Sequence, residues 1–407
     1  MLKKIPIHSS SLSLRDYSIY LCSLVVKPRR FDLHAIFPTA FDKKNLYGLP
    51  TGRHALWEFL KSADLQKGDE VLVAAYNFYV IVRLLVQREL KPVFVDIDPQ
   101  TLCMDPEDLK RKISPKSRMV IVTHMFGNPA DMPTILDICQ SNKLKLFEDC
   151  AHAIGTKSYG SHVGSQGDGA LFSFGIYKII NCFGGGMLAS SLAIQSPADN
   201  YLTGLASFKE TFIRFVFSLL MRPWLYSLLL YPIINISKPF MPGLYNLFYP
   251  MKDDPDYRFN ENSRAPFKEF MPHLIFQQMQ RLEKNIARRR DIVRQFKAAL
   301  KDIKEITFLE EDKHGFANCA YFGFYVPDPQ GLANNLYQKG IRTHPYEYVN
   351  CARLKQFSEF QAHNPQAEYA YQHLLRLPNY PHLKNSELAT VVEYIKSYYH
   401  AKGKNGS

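Results

Sequence analysis

Between about residue 50 and residue 190 the sequence alternates two kinds of stretch. Residues 54–63 (HALWEFLKSA) place apolar side chains at helical spacing, and 130–141 does the same. Residues 70–75 (EVLVAA), 92–97 (PVFVDI), 118–124 (RMVIVTH) and 144–148 (LKLFE) are short apolar runs, the first set up by a Lys67-Gly68-Asp69 turn. Strands buried on both faces are apolar at nearly every position, and parallel strands need a crossover between them. The alternation therefore predicts βαβ units around a mostly parallel sheet, an α/β fold. In such sheets ligands bind beyond the carboxyl ends of the strands, so the chemistry is sought there.

The rest of the chain is read around that sheet. The amphipathic stretch 274–300 predicts one long helix, with Arg288-Arg289-Arg290 on a solvated face. After about 315 the pattern changes to a short strand (320–325) and helices (330–339, 387–401), a smaller α+β domain. The expected division is a large domain of 1–204 and 263–300, an apolar insert of 205–262, and a small domain of 301–407. With 407 residues and 46% hydrophobic content the chain can bury a large core, which excludes a disordered protein. Its mean hydropathy of -0.21 excludes a multi-span membrane protein.

Seven scattered cysteines without a C-x-x-C pair point to reduced thiols in a cytoplasmic setting, not to disulfides or a metal site. The start, Met1-Leu2-Lys3-Lys4, lacks the apolar core of a signal peptide, and 17–26 (YSIYLCSLVV) lies too far in and has no small-residue cleavage site. The net charge of +12 admits a nucleic acid, an anionic membrane surface or a phosphorylated ligand as partner.

Three segments carry chemistry. Phe147-Glu148-Asp149-Cys150-Ala151-His152 puts Asp149 at the end of a strand. Gly167-Asp168-Gly169-Ala170-Leu171-Phe172-Ser173-Phe174-Gly175-Ile176-Tyr177-Lys178 follows, and then Phe183-Gly184-Gly185-Gly186. A lysine amine forms a Schiff base with an aldehyde cofactor. Pyridoxal 5'-phosphate (PLP) needs that lysine and an acidic partner for its pyridine nitrogen. Its phosphate needs backbone N–H groups at a helix start, which Thr51-Gly52-Arg53-His54-Ala55 offers. Each element alone has a plain structural explanation: a helix cap, a solvated loop lysine, an alternating strand. Their order and spacing favour the cofactor site.

At these residues the chain resembles the DegT/DnrJ/EryC1/StrS family of PLP-dependent sugar aminotransferases, of fold type I. The likeness runs from about Gly48 to Met187 and more weakly from Leu274 to Tyr399. It includes Lys91-Pro92-Val93-Phe94-Val95-Asp96-Ile97-Asp98 and His124-Met125-Phe126-Gly127-Asn128-Pro129. The resemblance implies that Lys178 carries the cofactor, Asp149 pairs with the pyridine nitrogen, and His152 meets the ring hydroxyl or face. It implies that Ser173 and the amides of Gly52, Arg53 and His54 hold the phosphate, and that Phe78 stacks on the ring, unless Phe78 is an ordinary core residue. It further implies a small keto-sugar substrate, nucleotide-linked, an amino donor such as glutamate, and a homodimer. Lys178 speaks against a related sugar dehydratase, in which histidine replaces the lysine.

Three departures stand out. The family's Ser-Gly-Thr phosphate turn is Thr51-Gly52-Arg53. The Asn-x-Arg segment that reaches a neighbouring subunit is missing from 264–272, where Arg264 and Lys268 are the cations. These two changes keep open a non-catalytic, membrane-associated protein on the same scaffold. The third is the insert. Its uncharged stretch 223–237 has 15 residues, short of the roughly 20 needed to span a bilayer, and contains Pro223 and Pro232. With Arg214, Arg222 and Lys238 around it, 212–240 reads either as a segment lying peripherally on the inner membrane face or as a packed hairpin. Nucleic acid is the least supported partner.

Overall fold

The computed structural model describes residues 4–23, 25–26, 32–194, 204–233, 258–260, 267–345 and 348–405, with backbone alone for 204–210 and 403–405. Arg264, Tyr346 and most of 234–262 lie outside the described residues.

A short helix, α1 (Leu14–Cys22), precedes the main sheet. That sheet has seven strands: β1 (Asn45–Leu49), β2 (Glu70–Ala74), β3 (Lys91–Val95), β4 (Ser117–Thr123), β5 (Lys145–Asp149), β6 (Gly169–Ser173) and β7 (Gly186–Ser190). Their order is β1-β7-β6-β5-β4-β2-β3. The pairs from β3 across to β6 are parallel, and β7 runs antiparallel to both β6 and β1. This is the α/β sheet that the alternation predicts. Helices α2 (Gly52–Ser62) and α4 (Met132–Ser141) fall within two residues of the expected 54–63 and 130–141, and α3 (Tyr79–Gln87) lies between them without having been expected.

The sheet is buried on both faces. Along β6, Leu171 joins one apolar cluster with Phe59, while Ala170 and Phe172 join another with Phe267 and Leu274. Period-2 alternation thus divides a continuous apolar run between two cores.

The expected single helix over 274–300 is two, α7 (Met271–Met279) and α8 (Leu282–Leu300). Arg281 leaves helical geometry (φ -122, ψ 12). The break lets Gln278 bond the backbone of Asn181 on both its donor and acceptor sides, at 2.9 Å each, and brings Arg281 onto the buried carboxylate of Asp16. The arginine cluster is not a solvated face. Arg289 is 6% exposed and donates to the carbonyls of Ala320 and Asn379; Arg288 and Arg290 bond Leu383 O and Ala317 O. A helix turns 100° per residue, so consecutive arginines reach different neighbours, and here each fastens α8 to the chain that follows.

That following chain forms a second sheet of β8 (Thr307–Phe308), β9 (Phe322–Tyr325), β10 (His344–Pro345) and β11 (Leu374–Leu377), in the order β8-β9-β11-β10. Its core takes in Ile292, Phe296 and Leu300 of α8, and Ile5 from the start of the chain. The insert begins with α5 (Gly204–Leu220) and turns by 81° into α6 (Pro223–Ile233). No single helix among the described residues is long and apolar enough to cross a membrane; this bent pair passes on length and composition only.

The position of β5 is fixed by Glu148. Its fully buried carboxylate accepts from the amides of Gly164 (2.6 Å), Gln166 (2.9 Å) and Gly167 (2.6 Å), and from His124 Nε2 at 3.1 Å. His124 Nδ1 accepts from Ala130 N, so Nε2 carries the proton. Burial works to raise Glu148, but the His124 bond and the loop amides outweigh it and hold the carboxyl below its ordinary value of 4.5. The stabilisation is therefore complete above that value and is lost as acid protonates the folded carboxylate. Glu148→Ala is expected to cost about 3–5 kcal/mol in urea unfolding at neutral pH, with a smaller difference from the parent in acid; equal stability at neutral pH refutes the assignment.

Candidate active site

The carboxyl ends of β5 and β6 and the start of α2 meet around one cavity of about 810 Å³. That volume lies within the range of ligand pockets, about 300–1,000 Å³. Asp149 ends β5, Ser173 ends β6, and Lys178 sits in the loop between β6 and β7; all three line the cavity. The loop is held in shape by Phe174, whose carbonyl accepts from Cys182 N and Gly184 N and whose amide donates to Gly185 O. Gly184 and Gly185 adopt φ of +135 and +92, open to glycine at little cost. A Cβ on Gly186 would lie 2.3 Å from the Thr51 carbonyl carbon, so any side chain there would push β7 away from the start of α2.

Asp149 faces the cavity, one residue from Glu148 and on the opposite side of the strand. Its Oδ1 accepts from Ala151 N at 2.9 Å. Burial raises its pKa; the Ala151 bond and the charge of Lys178 oppose this without cancelling it. A protonated ring nitrogen would supply the cation that this buried carboxyl lacks in full.

The start of α2 suits a phosphate. Thr51 caps the helix, accepting from His54 N at 3.4 Å, and Gly52 and Arg53 line the cavity. A helix N-terminus offers unsatisfied N–H groups and a positive dipole end, and Ser173 adds a hydroxyl beside it. The His54 amide is turned to the Thr51 hydroxyl, and its ring packs on Phe259 at 4.7 Å, so His54 supports the turn without lining the cavity. Its pKa is lowered to about 4 by burial and by Arg53. These residues fit the phosphate, ring nitrogen and aldehyde of PLP.

Phe78 is 40% exposed and lines the cavity, which removes the core-residue explanation. His152 stands one layer back. Its Nε2 meets Tyr348 OH at 2.9 Å, and Tyr348 and Tyr321 line the cavity in front of it. Burial, then Lys178 and Arg376, push its pKa well down, so it is neutral. Lys268 is buried and does not line the cavity.

The far wall was not foreseen. His8, Arg214, His344 and Arg376 all line the cavity; of these the sequence singled out Arg214, and only as a cation beside the apolar insert. Arg376 is 1% exposed on β11, bonds His8 Nε2 and lies 4.1 Å from the Tyr321 ring centroid. One signal for it exists: in Leu374-Leu375-Arg376-Leu377 a charge interrupts a fully buried strand. Among the described lining residues, Arg53, Lys178, Arg214 and Arg376 face a single carboxylate, Asp149.

Fold and site define a fold type I PLP-dependent transferase. The family model of the DegT/DnrJ/EryC1/StrS aminotransferases matches residues 36–192 and 263–396, and the chain belongs to that family. It is 36% identical over 148 residues to a GDP-perosamine synthase of Vibrio cholerae, a match covering 36% of this chain and only 40% of that protein. It is 25% identical over 387 residues to a dTDP-4-dehydro-2,3,6-trideoxy-D-glucose 4-aminotransferase of Saccharopolyspora spinosa, covering 92% of this chain and 90% of the other. A Streptococcus pneumoniae protein solved in its PMP form shares the fold at a TM-score of 0.71 and 18% identity, covering 98% of this chain and 100% of its own; its PLP form gives 0.70.

Asp149→Asn keeps the side-chain shape without the charge. It is expected to leave the circular dichroism unchanged and to weaken PLP binding at least about tenfold in a spectrophotometric titration, the equivalent of roughly 1.4 kcal/mol. Unchanged affinity refutes a pairing with the ring nitrogen.

Proposed function

We propose that this protein transfers an amino group from a small donor, glutamate by family resemblance, to a keto group of a nucleotide-linked sugar in polysaccharide or glycoconjugate synthesis. The observation that carries the reading is the meeting of Lys178, Asp149, Ser173 and the start of α2 around one cavity. When bound, PLP supplies an aldehyde for amine exchange and a ring that accepts the electrons of a carbanion.

The chain's own residues do the rest. Lys178 Nζ would hold the cofactor's aldehyde and, as a free amine, would move the proton at the reacting carbon. Asp149 holds positive charge at the ring nitrogen, its orientation set by the Ala151 amide. Ser173, Arg53 and the first amides of α2 hold the phosphate. Phe78 offers a ring face, and His152 positions Tyr348 through their hydrogen bond. The surplus of cations around the cavity suits ligands that carry phosphate or carboxylate. The names of the Vibrio and Saccharopolyspora relatives, a GDP and a dTDP sugar, support the substrate class.

A homodimer belongs to this reading and is checked by light scattering. So does a reducing, cytoplasmic setting, supported by seven cysteines without a disulfide. The division into a large unit, the insert and a small unit is retained as part of the proposal.

Purified protein is expected to be yellow and to consume glutamate with one member of a panel of nucleotide-linked keto sugars. Lys178→Ala is expected to lose the visible band and the turnover; a colourless parent that ignores added PLP overturns the reading. Arg376→Leu is expected to raise KM for an anionic substrate about tenfold, the scale of a lost hydrogen bond to a charged group, with Arg376→Lys intermediate. An unchanged KM removes Arg376 from substrate binding.

A further inference from the structure

Besides the last residues, 397–407, two long stretches of the chain, 1–35 and 193–262, fall outside the family match, and where described they pack on each other. Tyr20 OH meets Thr211 Oγ1 at 2.7 Å, and Tyr17 OH meets Ser218 Oγ at 3.3 Å. Arg222 donates to Leu12 O at 2.7 Å, and Ser227 Oγ bonds both the amide (2.8 Å) and the carbonyl (3.0 Å) of Lys4. The Tyr20 and Phe215 rings stack 4.8 Å apart. The additions form one unit. Its inner side is committed to the protein: Phe217, Met221, Tyr226 and Leu230 pack with Ile176 and Tyr177, next to Lys178.

Its outer side is apolar and open. Leu14 is 79% exposed on α1, Ile213 is 65% exposed on α5, and Trp224 and Leu228 are 60% and 65% exposed on α6; Val25 and Val26, just after α1, are 89% and 66% exposed. Scattered single apolar residues are normal on a surface, but this many on one added unit mark a contact. Charge says with what. From Thr211 to Ile233 the sequence has no Asp or Glu, and the one acid of α1, Asp16, is fully buried against Arg281. One exposed cation, Arg15 on α1, accompanies the apolar residues, and the sequence continues after Val26 with the basic run Lys27-Pro28-Arg29-Arg30. Two copies laid face to face would bring like charges together. An anionic headgroup layer pairs with every one of them and also receives the apolar side chains and Trp224.

We propose that α1 and the bent α5–α6 pair dock this protein on an anionic phospholipid bilayer, lying in the headgroup layer without crossing it. The buried inner faces and the 81° bend leave only one side of the helices for lipid. This inference rests on packing and charge and stands whether or not the amine-transfer reading holds.

The test is flotation of the full chain with vesicles of phosphatidylcholine containing phosphatidylglycerol, against phosphatidylcholine alone. The comparison chain carries Ile213→Glu, Trp224→Glu and Leu228→Glu, all at exposed positions, with circular dichroism and thermal melting to show that it folds. The expected result is flotation with the anionic vesicles, weakened by salt, and reduced about tenfold or more for each apolar side chain lost from the interface. Absence of flotation with either vesicle overturns the proposal. So does flotation that the triple variant retains, or a variant that changes only the oligomeric mass in light scattering, which would assign the face to a second copy.

Discussion

Glu148 has no contact with water, yet its carboxylate is met by His124 and by three amides of the loop Gly164–Gly167. A buried charge left without such partners costs several kcal/mol, so β5 is held to one register against β4, β6 and that loop. Because side chains alternate along a strand, fixing Glu148 on one side fixes Asp149 on the other. The same register puts Ser173 at the end of β6 and starts the loop that carries Lys178. Asp149 and Ser173 sit on the rigid ends of the sheet, and the network that holds the sheet is placed outside the cavity.

Two neighbouring carboxyls thus have opposite fates. Glu148 is spent on internal donors and kept below its ordinary value; Asp149 has one amide bond and is raised by burial. Environments that push the pKa values of adjacent groups apart are a mark of divided labour. Here one carboxyl holds the scaffold and the other waits for a cation. The buried His124–Glu148–Cys150 group has metal-ligand chemistry on paper, but both nitrogens of His124 and both oxygens of Glu148 are already taken by hydrogen bonds.

The near wall of the cavity was legible because its residues follow one another closely in the chain. An apolar strand ending in Asp149, a second ending in Ser173, and a glycine-rich turn after Lys178 are local patterns, and their common place follows from parallel topology. The far wall was not legible. His8, Arg214 and Arg376 come from three remote segments, and nothing local says that a residue near the amino terminus lies against β11. Arg288-Arg289-Arg290 shows the same limit from the other side. A run of like charges suggests solvent, but its partners are carbonyls that tertiary folding brings to it. The break at Arg281 is not legible because both halves keep helical spacing, and the partner that Arg281 meets there, Asp16, lies on α1.

The wall built from α5, Met221 and the segment around His8 has a consequence for how such a protein diversifies. Lys178, Asp149, Ser173 and the start of α2 lie within the stretch matched by the family, while Arg214, Phe217, Met221 and His8 enter the cavity from outside it. Changes in the two additions can therefore reshape that side of the pocket and leave the half within the family match intact. The pairing of the two additions also ties their histories: Tyr20 and Thr211, or Leu12 and Arg222, have reason to change as couples.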